Sequence, residues 1–543
     1  MPDDTDELLG YLDRALTITP ERDAGRVRLL EDRARVLREA GAPAAEVAEA
    51  LRTAYVEAQR HGGMALHSAA GTWARDRAAT GDWPVAAEAG DDAVSALETV
   101  VRLQTHLYHR RALLRSAGSL TTLTADALRR TGHAARAAVF LERGQAMTLV
   151  DQYARPAVVE QLLRGHDDTI ALKYRTLVDA VRRFNANDTE LRAAQADLAR
   201  FVDSTARLPG MRDLLEAARD PRDLLVGSAF VYVTVGFAIV VNDSGTATPI
   251  ELPDLTENAL WRVQTKFIRR VVLGRDEYLS TSTVESTCRW LDRVVMGPLE
   301  PALQGLESII LIATGTLAGL PLHATATAAG RRTHSYLPAA ALARAPVPPF
   351  DSDARAVAVV DPERSDVTRL AGTKREADVI RQHFAHGPTL HAGGATTETV
   401  RAAMVDAELV HFGCHATSNP TEPMDSAILL AGDGRLRLRD LLAAPATLRR
   451  TRLVVLSACQ TNTVDWGVPS ESINLATGML AAGADAVIGS LWPVPDGPTA
   501  ELMSRFYGAL GQGTPAKAAL AQAQRELSDT PLRDWAGFVY VGR

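Results

Sequence analysis

The sequence predicts a multidomain protein: an all-α N-terminal region, then an α/β region built on a mostly parallel sheet. Three observations predict it. The 543 residues exceed the roughly 100–200 residues of a single domain. Up to about residue 220, apolar residues recur at helical spacing with no convincing β-run. Beyond that point, short β-branched strands alternate with helical stretches, the pattern of a parallel sheet sandwiched by helices. A composition of 46% hydrophobic and 23% charged residues is that of a globular protein and excludes disorder or a small disulfide scaffold. The 59 Lys and Arg against 66 Asp and Glu leave a charge of −7. Such a chain lacks the cation excess that neutralises phosphates, so nucleic acid is not indicated as a partner.

The helical region, residues 1–220, is punctuated by turns of similar form: Ala40-Gly41-Ala-Pro, Ala79-Thr-Gly81-Asp-Trp-Pro and Arg130-Thr-Gly132-His. Glycine there supplies the left-handed cap that ends one helix before the next begins. The spacings, 81 − 41 = 40 and 132 − 81 = 51, are irregular. The array resembles a degenerate tetratricopeptide-like solenoid, whose concave face would be a partner surface. In the α/β region, Pro346, Pro348 and Pro349 mark a linker between a first portion, 221–345, and a second, 346–543. In the second portion the expected strands are Ala356–Asp361, Leu409–His415, Leu453–Cys459 and Ala484–Leu491, with helices Lys374–Phe384, Thr397–Val405 and Leu475–Ala482 between them.

Two uncharged stretches, 224–242 and 308–330, reach membrane-spanning length. The first, with Phe230-Val-Tyr-Val-Thr-Val and Gly236, reads as strands; the second, with Gly315, Gly319, Pro321 and His323, reads as a strand followed by loop. No membrane association is expected. The acidic start, Met1-Pro-Asp-Asp-Thr-Asp, is the opposite of a signal peptide's basic n-region. Three cysteines, Cys288, Cys414 and Cys459, form a sparse odd set, as in reduced thiols, so a cytoplasmic location is expected.

In open α/β sheets ligands bind beyond the carboxyl ends of the strands. Two strand ends carry chemistry there: Glu408-Leu-Val-His-Phe-Gly-Cys-His415 ends in an imidazole, and Arg452-Leu-Val-Val-Leu-Ser-Ala-Cys459 ends in a thiol. Parallel strands would bring His415 and Cys459 to one edge as base and nucleophile, because a thiol needs a neighbouring base to become a thiolate at neutral pH. The backbone N–H groups of Ala416 and Cys459 are the candidate oxyanion donors. By strand alternation His411 shares a face with His415, whereas Cys414 points the other way and packs. Ser457 is a rival nucleophile that lies deeper, with no glycine-flanked elbow around it.

At these residues the sequence resembles a CHAT domain, a caspase-like and separase-like class of cysteine peptidase. The resemblance rests on Val410-His-Phe-Gly-Cys-His415, Leu456-Ser-Ala-Cys-Gln-Thr461, Ala481-Ala-Gly-Ala-Asp-Ala-Val-Ile-Gly-Ser-Leu-Trp-Pro-Val-Pro-Asp496 and Trp535-Ala-Gly-Phe538, and runs over about 221–543. It implies a caspase-like three-layer fold whose first portion is non-catalytic, with His415 as general base and Cys459 as nucleophile. It also implies protein or peptide substrates, no cofactor, and activation by a partner or signal acting on the helical repeats, with bacterial defence as a fitting role. Two positions depart from the family pattern: Ala416 stands where Gly is usual after the His, and Gln460 where Glu is usual after the Cys.

Asp425 and Asp465 are weak candidates for an acidic pocket that takes a basic substrate residue, with Glu471 and Asp496 nearby in sequence; solvated loop carboxylates are the commoner outcome. Zinc on His411, Cys414, His415 and Cys459 is disfavoured, since adjacent Cys414 and His415 diverge and no Cys-x2-Cys pair exists. The competing functional reading is a catalytically silent scaffold of the same fold.

Overall fold

The computed structural model describes residues 2–103, 110, 113–114, 117–150, 159–160, 163–164, 167–181, 188–205, 229–274, 276–344, 346–419, 422–443, 445–457 and 471–543. The chain forms two compact units, Met1–Gly144 and Gln145–Arg543. The compact division thus falls well before the change of sequence texture near 220, which lies outside the described residues.

The first unit is a succession of helices: α1 Pro2–Ile18, α2 Gly25–Glu39, α3 Ala44–His61, α4 Gly63–Ala79, α5 Trp83–Leu103, α6 Ala117–Arg130 and α7 Ala134–Arg143. The three glycine turns share one mechanism. Gly41, Gly81 and Gly132 have φ of 73°, 81° and 83°. After each glycine the next N–H reaches back five residues, Ala42 to Leu37, Asp82 to Arg77 and His133 to Leu128, at 2.9–3.0 Å. That is the Schellman cap, and it leaves each following helix free to fold back on the one before. Fully buried alanines such as Ala86, Ala89, Ala93, Ala137 and Ala138 let neighbouring helices pack closely. Arg143 closes the unit with contacts to Asp91 at 2.7 Å and Glu98 at 2.8 Å. This is the tetratricopeptide-like architecture the turns predict.

The second unit opens with a helix hairpin, α8 Asp168–Val181 and α9 Asp188–Thr205, closed by Tyr174 and Val178 against Leu198, Phe201 and Val202. Fourteen strands follow among the described residues: β1 Phe230–Thr234, β2 Gly236–Val241, β3 Ala247–Leu252, β4 Ser308–Ala313, β5 Thr333–Tyr336, β6 Ala356–Pro362, β7 Thr389–Ala392, β8 Leu409–Gly413, β9 Ala416–Thr417, β10 Ala427–Leu429, β11 Arg435–Arg437, β12 Leu453–Leu456, β13 Ala486–Ser490 and β14 Phe538–Gly542. Eleven form one sheet in the order β3-β2-β1-β4-β5-β14-β13-β12-β8-β6-β7, and β11-β10-β9 form a small antiparallel one. The described part of the first stretch of membrane-spanning length, 229–242, and the second, 308–330, are strands of the large sheet and their connections. No helix among the described residues is long and apolar enough to cross a membrane.

The Pro346–Pro349 linker does not separate two sheets. The chain's last strand, β14, pairs parallel with β5 and antiparallel with β13, so the expected portions 221–345 and 346–543 share one continuous sheet. Composition marks the linker but carries no sign of where a terminal strand inserts. The expected boundary residues 220 and 345 themselves lie outside the described residues.

Helices α10 Glu257–Phe267, α11 Glu277–Leu291 and α12 Gly297–Leu303 accompany the first strands. The second half carries α13 Gly372–His383, α14 Thr397–Met404, α15 Leu438–Ala443, α16 Leu475–Ala481, α17 Asp496–Gly511 and α18 Ala516–Glu526. The strand order fixes their layers. From β6 the chain steps outward to β7, then returns past β6 to β8, β12 and β13. Parallel crossovers are right-handed, so reversing the direction of travel reverses the face. Helix α13 therefore covers one face and α14, α15 and α16 the other, giving three layers. The expected strands and helices of this half all exist: β6 runs one residue further than expected, β8 stops two residues short because the chain bends out of the ladder before His415, β13 is shorter at both ends, and the expected end of β12 at Cys459 lies outside the described residues.

Two histidines in the first portion are held neutral. His323 donates its backbone N–H to the Tyr336 hydroxyl at 3.1 Å, and its Nδ1 lies 3.0 Å from the same oxygen. Burial pushes His323 down to about 4 and His334 down to about 3, the latter helped by neighbouring positive charge. The unfolded chain, with ordinary histidines near 6.5, binds more protons than the fold between those values, so stability rises with pH there and is lost on acidification. The urea midpoint is expected to drop as pH falls from about 6.5 towards 4. A His323→Gln/His334→Gln double variant should lose part of that slope; an unchanged slope would assign it elsewhere.

Candidate active site

The sequence reverses its direction across the sheet between β6 and β8, the switch point where open α/β sheets leave a crevice at their carboxyl ends. Three neighbouring strands, β6, β8 and β12, end there. β8 pairs parallel with β12 from Leu409↔Leu453 to Phe412↔Leu456. The constant offset is 453 − 409 = 44 residues, which is also 459 − 415. His415 and Cys459 therefore stand the same number of positions, three, beyond the last ladder pair. Cys459, Gln460 and Asp465 lie outside the described residues.

His415 is half-buried, two residues past the end of β8. Its Nε2 lies 2.7 Å from the backbone carbonyl of Thr368. A carbonyl oxygen only accepts, so Nε2 carries the hydrogen and the basic lone pair of the neutral ring falls on Nδ1. Thr368 belongs to the loop from β6 to α13, and that loop is held by Asp361, whose carboxylate accepts from Arg369 Nε at 2.5 Å and from the Leu370 N–H at 3.1 Å. Asp361 itself sits at φ 41°, the left-handed region that Asp enters more readily than most residues. Sequence reading missed both Thr368, which acts through its backbone, and Asp361. The signal for Asp361 was present: a carboxylate at the end of the strand next to β8.

Ala416 does not require the left-handed backbone that its alignment with a family glycine suggests; it lies outside the positive-φ residues and begins β9. The Leu429 N–H donates to the His415 carbonyl at 2.9 Å, while Ala416 is the register partner of Ile428. Hydrogen-bonded and non-hydrogen-bonded pairs alternate in an antiparallel ladder, so the Ala416 N–H points away from β10. β9 is an edge strand, and that donor faces outward.

Beneath His415, His411 is fully buried with Glu376 from α13 and Tyr507 from α17. Its Nδ1 lies 2.9 Å from the Tyr507 hydroxyl, and its Nε2 lies 2.7 Å from the Glu376 carboxylate, a close electrostatic contact without the alignment of a hydrogen bond. Burial and the Glu376 charge push the Tyr507 phenol well above its ordinary value, so it stays protonated. A Cβ on Gly413 would come within 3.1 Å of both His411 Nε2 and the Thr373 side chain, which is why a residue without one stands there. His411 is thus a strut joining the sheet to both helices under the His415 turn.

The remaining candidates have other occupations. Cys414 is buried, and desolvation with the Glu376 charge pushes its thiol up; Cys288 is likewise pushed up to about 12, mainly by burial. Neither is a nucleophile. The Ser457 hydroxyl is buried without a hydrogen-bond partner among the described residues. Asp425 pairs with Arg439 at 2.7 Å, Asp496 accepts the Gly372 N–H at 2.7 Å, and fully buried Glu471 accepts the Thr148 N–H at 3.0 Å. Asp496 and Glu471 thus serve the fold, whereas the Asp425–Arg439 pair is partly exposed, a kind of contact that contributes little to stability. Among the described residues, no group of three or more His, Cys, Asp or Glu side chains is arranged to hold a metal ion.

Residues 285–543 match the family model described as CHAT domain. This part of the chain is similar to CHAT domains. The match begins later than the 221 suggested by resemblance, and so includes β4 onward but not the first three strands. Among curated proteins the chain is similar to tetratricopeptide repeat protein 28 of Homo sapiens, 30% identical over 190 residues, and of Mus musculus, 29% over 187. Each match covers 27% of this chain, and the chain spans about 8% of the length of either relative. Among solved structures it is similar to the Saccharomyces cerevisiae separase–securin complex, with 8% identity, 95% of this chain and 53% of that one covered, and a TM-score of 0.43. A complex of Porphyromonas gingivalis RgpB pro- and mature domains has 11% identity, coverage of 53% and 75%, and a TM-score of 0.30.

Removing one partner of a buried charge pair costs roughly 3–5 kcal/mol. Glu376→Ala is therefore expected to lower the denaturant midpoint of the second unit strongly, and a near-neutral result would show that the Glu376–His411 contact does not stabilise the fold.

Proposed function

We propose that the protein is a cysteine endopeptidase that cleaves protein substrates with a Cys459–His415 dyad. The observation that carries this reading is the commitment of His415 Nε2 to the Thr368 carbonyl, which leaves Nδ1 as the free base at the edge where the β8–β12 register would set position 459. In the proposed reaction, Nδ1 takes the Cys459 proton and the thiolate attacks the peptide carbonyl carbon. The oxyanion accepts from the outward Ala416 N–H, with the Cys459 N–H as the second donor. The imidazolium returns the proton to the leaving amine as the C–N bond breaks. Water, deprotonated by His415, then releases the thioester as a carboxylic acid and regenerates the thiol. No cofactor takes part.

The extended Ala416 weakens the case for a silent scaffold, because a substitution that leaves the backbone donor in place is compatible with chemistry. The tetratricopeptide-like unit is proposed to receive a protein partner or signal that regulates cleavage. Asp425, partly exposed beside Arg439, and Asp465 are proposed to take a basic substrate residue.

Cys459→Ala is expected to abolish peptide cleavage, and His415→Ala to slow it by roughly 10²–10⁴-fold, the usual contribution of a general base; Cys414→Ala should retain it. Profiling of cleaved peptides with wild type against each variant checks all three, and equal cleavage by wild type and Cys459→Ala would remove the assignment. A positioning role for Asp361 predicts that Asp361→Ala lowers kcat with little change in KM and shifts the acid limb of the pH–rate profile, whereas a purely structural role would leave that limb in place.

A further inference from the structure

The sheet carries a second concavity, remote from the switch point. A cavity of about 340 Å³ lies between α18 and the strands β5 and β14, a volume in the range of small-molecule sites. One strand, β13, stands between β14 and β12, which at about 4.8 Å per strand step removes the cavity by roughly 10 Å or more from the proposed nucleophile strand. One face of α18 lines it with Lys517, Leu520, Ala521, Gln524 and Arg525, at helical spacing.

Its chemistry is specific. His334, Tyr336, Trp535, Phe538 and Tyr540 supply aromatic rings, and no Asp or Glu lines the wall. Of the cations, Arg332 is already paired with Glu300 at 2.7 Å. Among the described residues Lys517 has only the neutral Ser308 hydroxyl, at 2.7 Å, and Arg525 stands exposed at the mouth. His323 and His334 are neutral at physiological pH, for the reasons given above. Lys517 is pushed down to about 8 by burial and by the charge of Arg543, the mark of a cation without an anion. The wall residues His323, His334 and Trp535 also each carry a ring nitrogen shielded from bulk water and without a hydrogen-bond partner. Buried polar groups of this kind ordinarily find a water or a ligand.

We propose that this cavity binds a small aromatic anion, its ring among the aromatic side chains and its carboxylate or phosphate between Lys517 and Arg525. An anion there would supply the counter-charge that Lys517 lacks among the described residues, with Arg525 adding positive charge at the mouth, and the ring would fill a volume that an inorganic ion cannot.

Isothermal titration of the full chain tests this with AMP and indole-3-acetate as aromatic anions, adenosine and indole as their neutral counterparts, and inorganic phosphate as an anion without a ring. At least one aromatic anion is expected to bind ten or more times tighter than its neutral counterpart and than phosphate. Binding of AMP alone assigns a phosphate ligand, and binding of indole-3-acetate alone a carboxylate. Lys517→Met and Arg525→Ala should each weaken the binding at least tenfold. If Lys517→Met does not fold, Arg525→Ala, at an exposed position, carries the test. Failure of both aromatic anions to bind, equal binding of the neutral compounds, or unchanged affinity in the folded variants overturns the proposal. Peptide cleavage is not read, so the result is independent of the assignment of Cys459.

Discussion

The reversal of strand order at β6 is the constraint on which the rest of the α/β unit depends. Because the chain leaves β6 in one direction and returns in the other, right-handed crossovers must place α13 on one face and the following helices on the opposite face. The loops after β6 and β8 then leave the sheet side by side without a helix between them. Into that gap the β6 loop sends the Thr368 carbonyl and β8 sends His415, and the 2.7 Å contact between them assigns the imidazole's hydrogen. A proton position is set by topology, through a backbone atom that no substitution at Thr368 removes.

The site is supported from below as well as from the side. His411 occupies the sheet face under the turn and is gripped by Glu376 and Tyr507 from two different helices. Two ionisable groups buried together are costly to desolvate and are a weak source of net stability. Their effect is geometric: they register α13 and α17 against β8, and α13 begins where the Thr368 loop ends. Asp361 performs the same service at the other end of that loop. The catalytic proposal thus rests on two pairs of supports that never touch a substrate.

Much of this was legible in the sequence, and for identifiable reasons. Period-two alternation separated His411 from Cys414, and the structure buries Cys414 while giving His411 a structural role. The Gly41, Gly81 and Gly132 turns were readable because a left-handed cap has few alternatives to glycine. The strands of the second half were readable because fully buried parallel strands are short, continuous apolar runs. The carboxylates were less legible: Asp425, Glu471 and Asp496 look alike in sequence, and only their neighbours Arg439, Thr148 and Gly372 distinguish them.

What the sequence by itself determined is the order of helical and α/β regions, the positions of the elements, the pairing of His415 with Cys459 as candidates, and the resemblance to CHAT domains. These are consequences of local periodicity and of residues adjacent in the chain. The tertiary structure decided that the Pro346–Pro349 linker lies within one sheet, that Asp361 and the Thr368 carbonyl orient His415, that Ala416 presents its N–H outward, and that Lys517 and Arg525 share a cavity. Each of these depends on which strands become neighbours, and strand order is set by packing among segments distant in the chain, a relation that no local pattern of residues records.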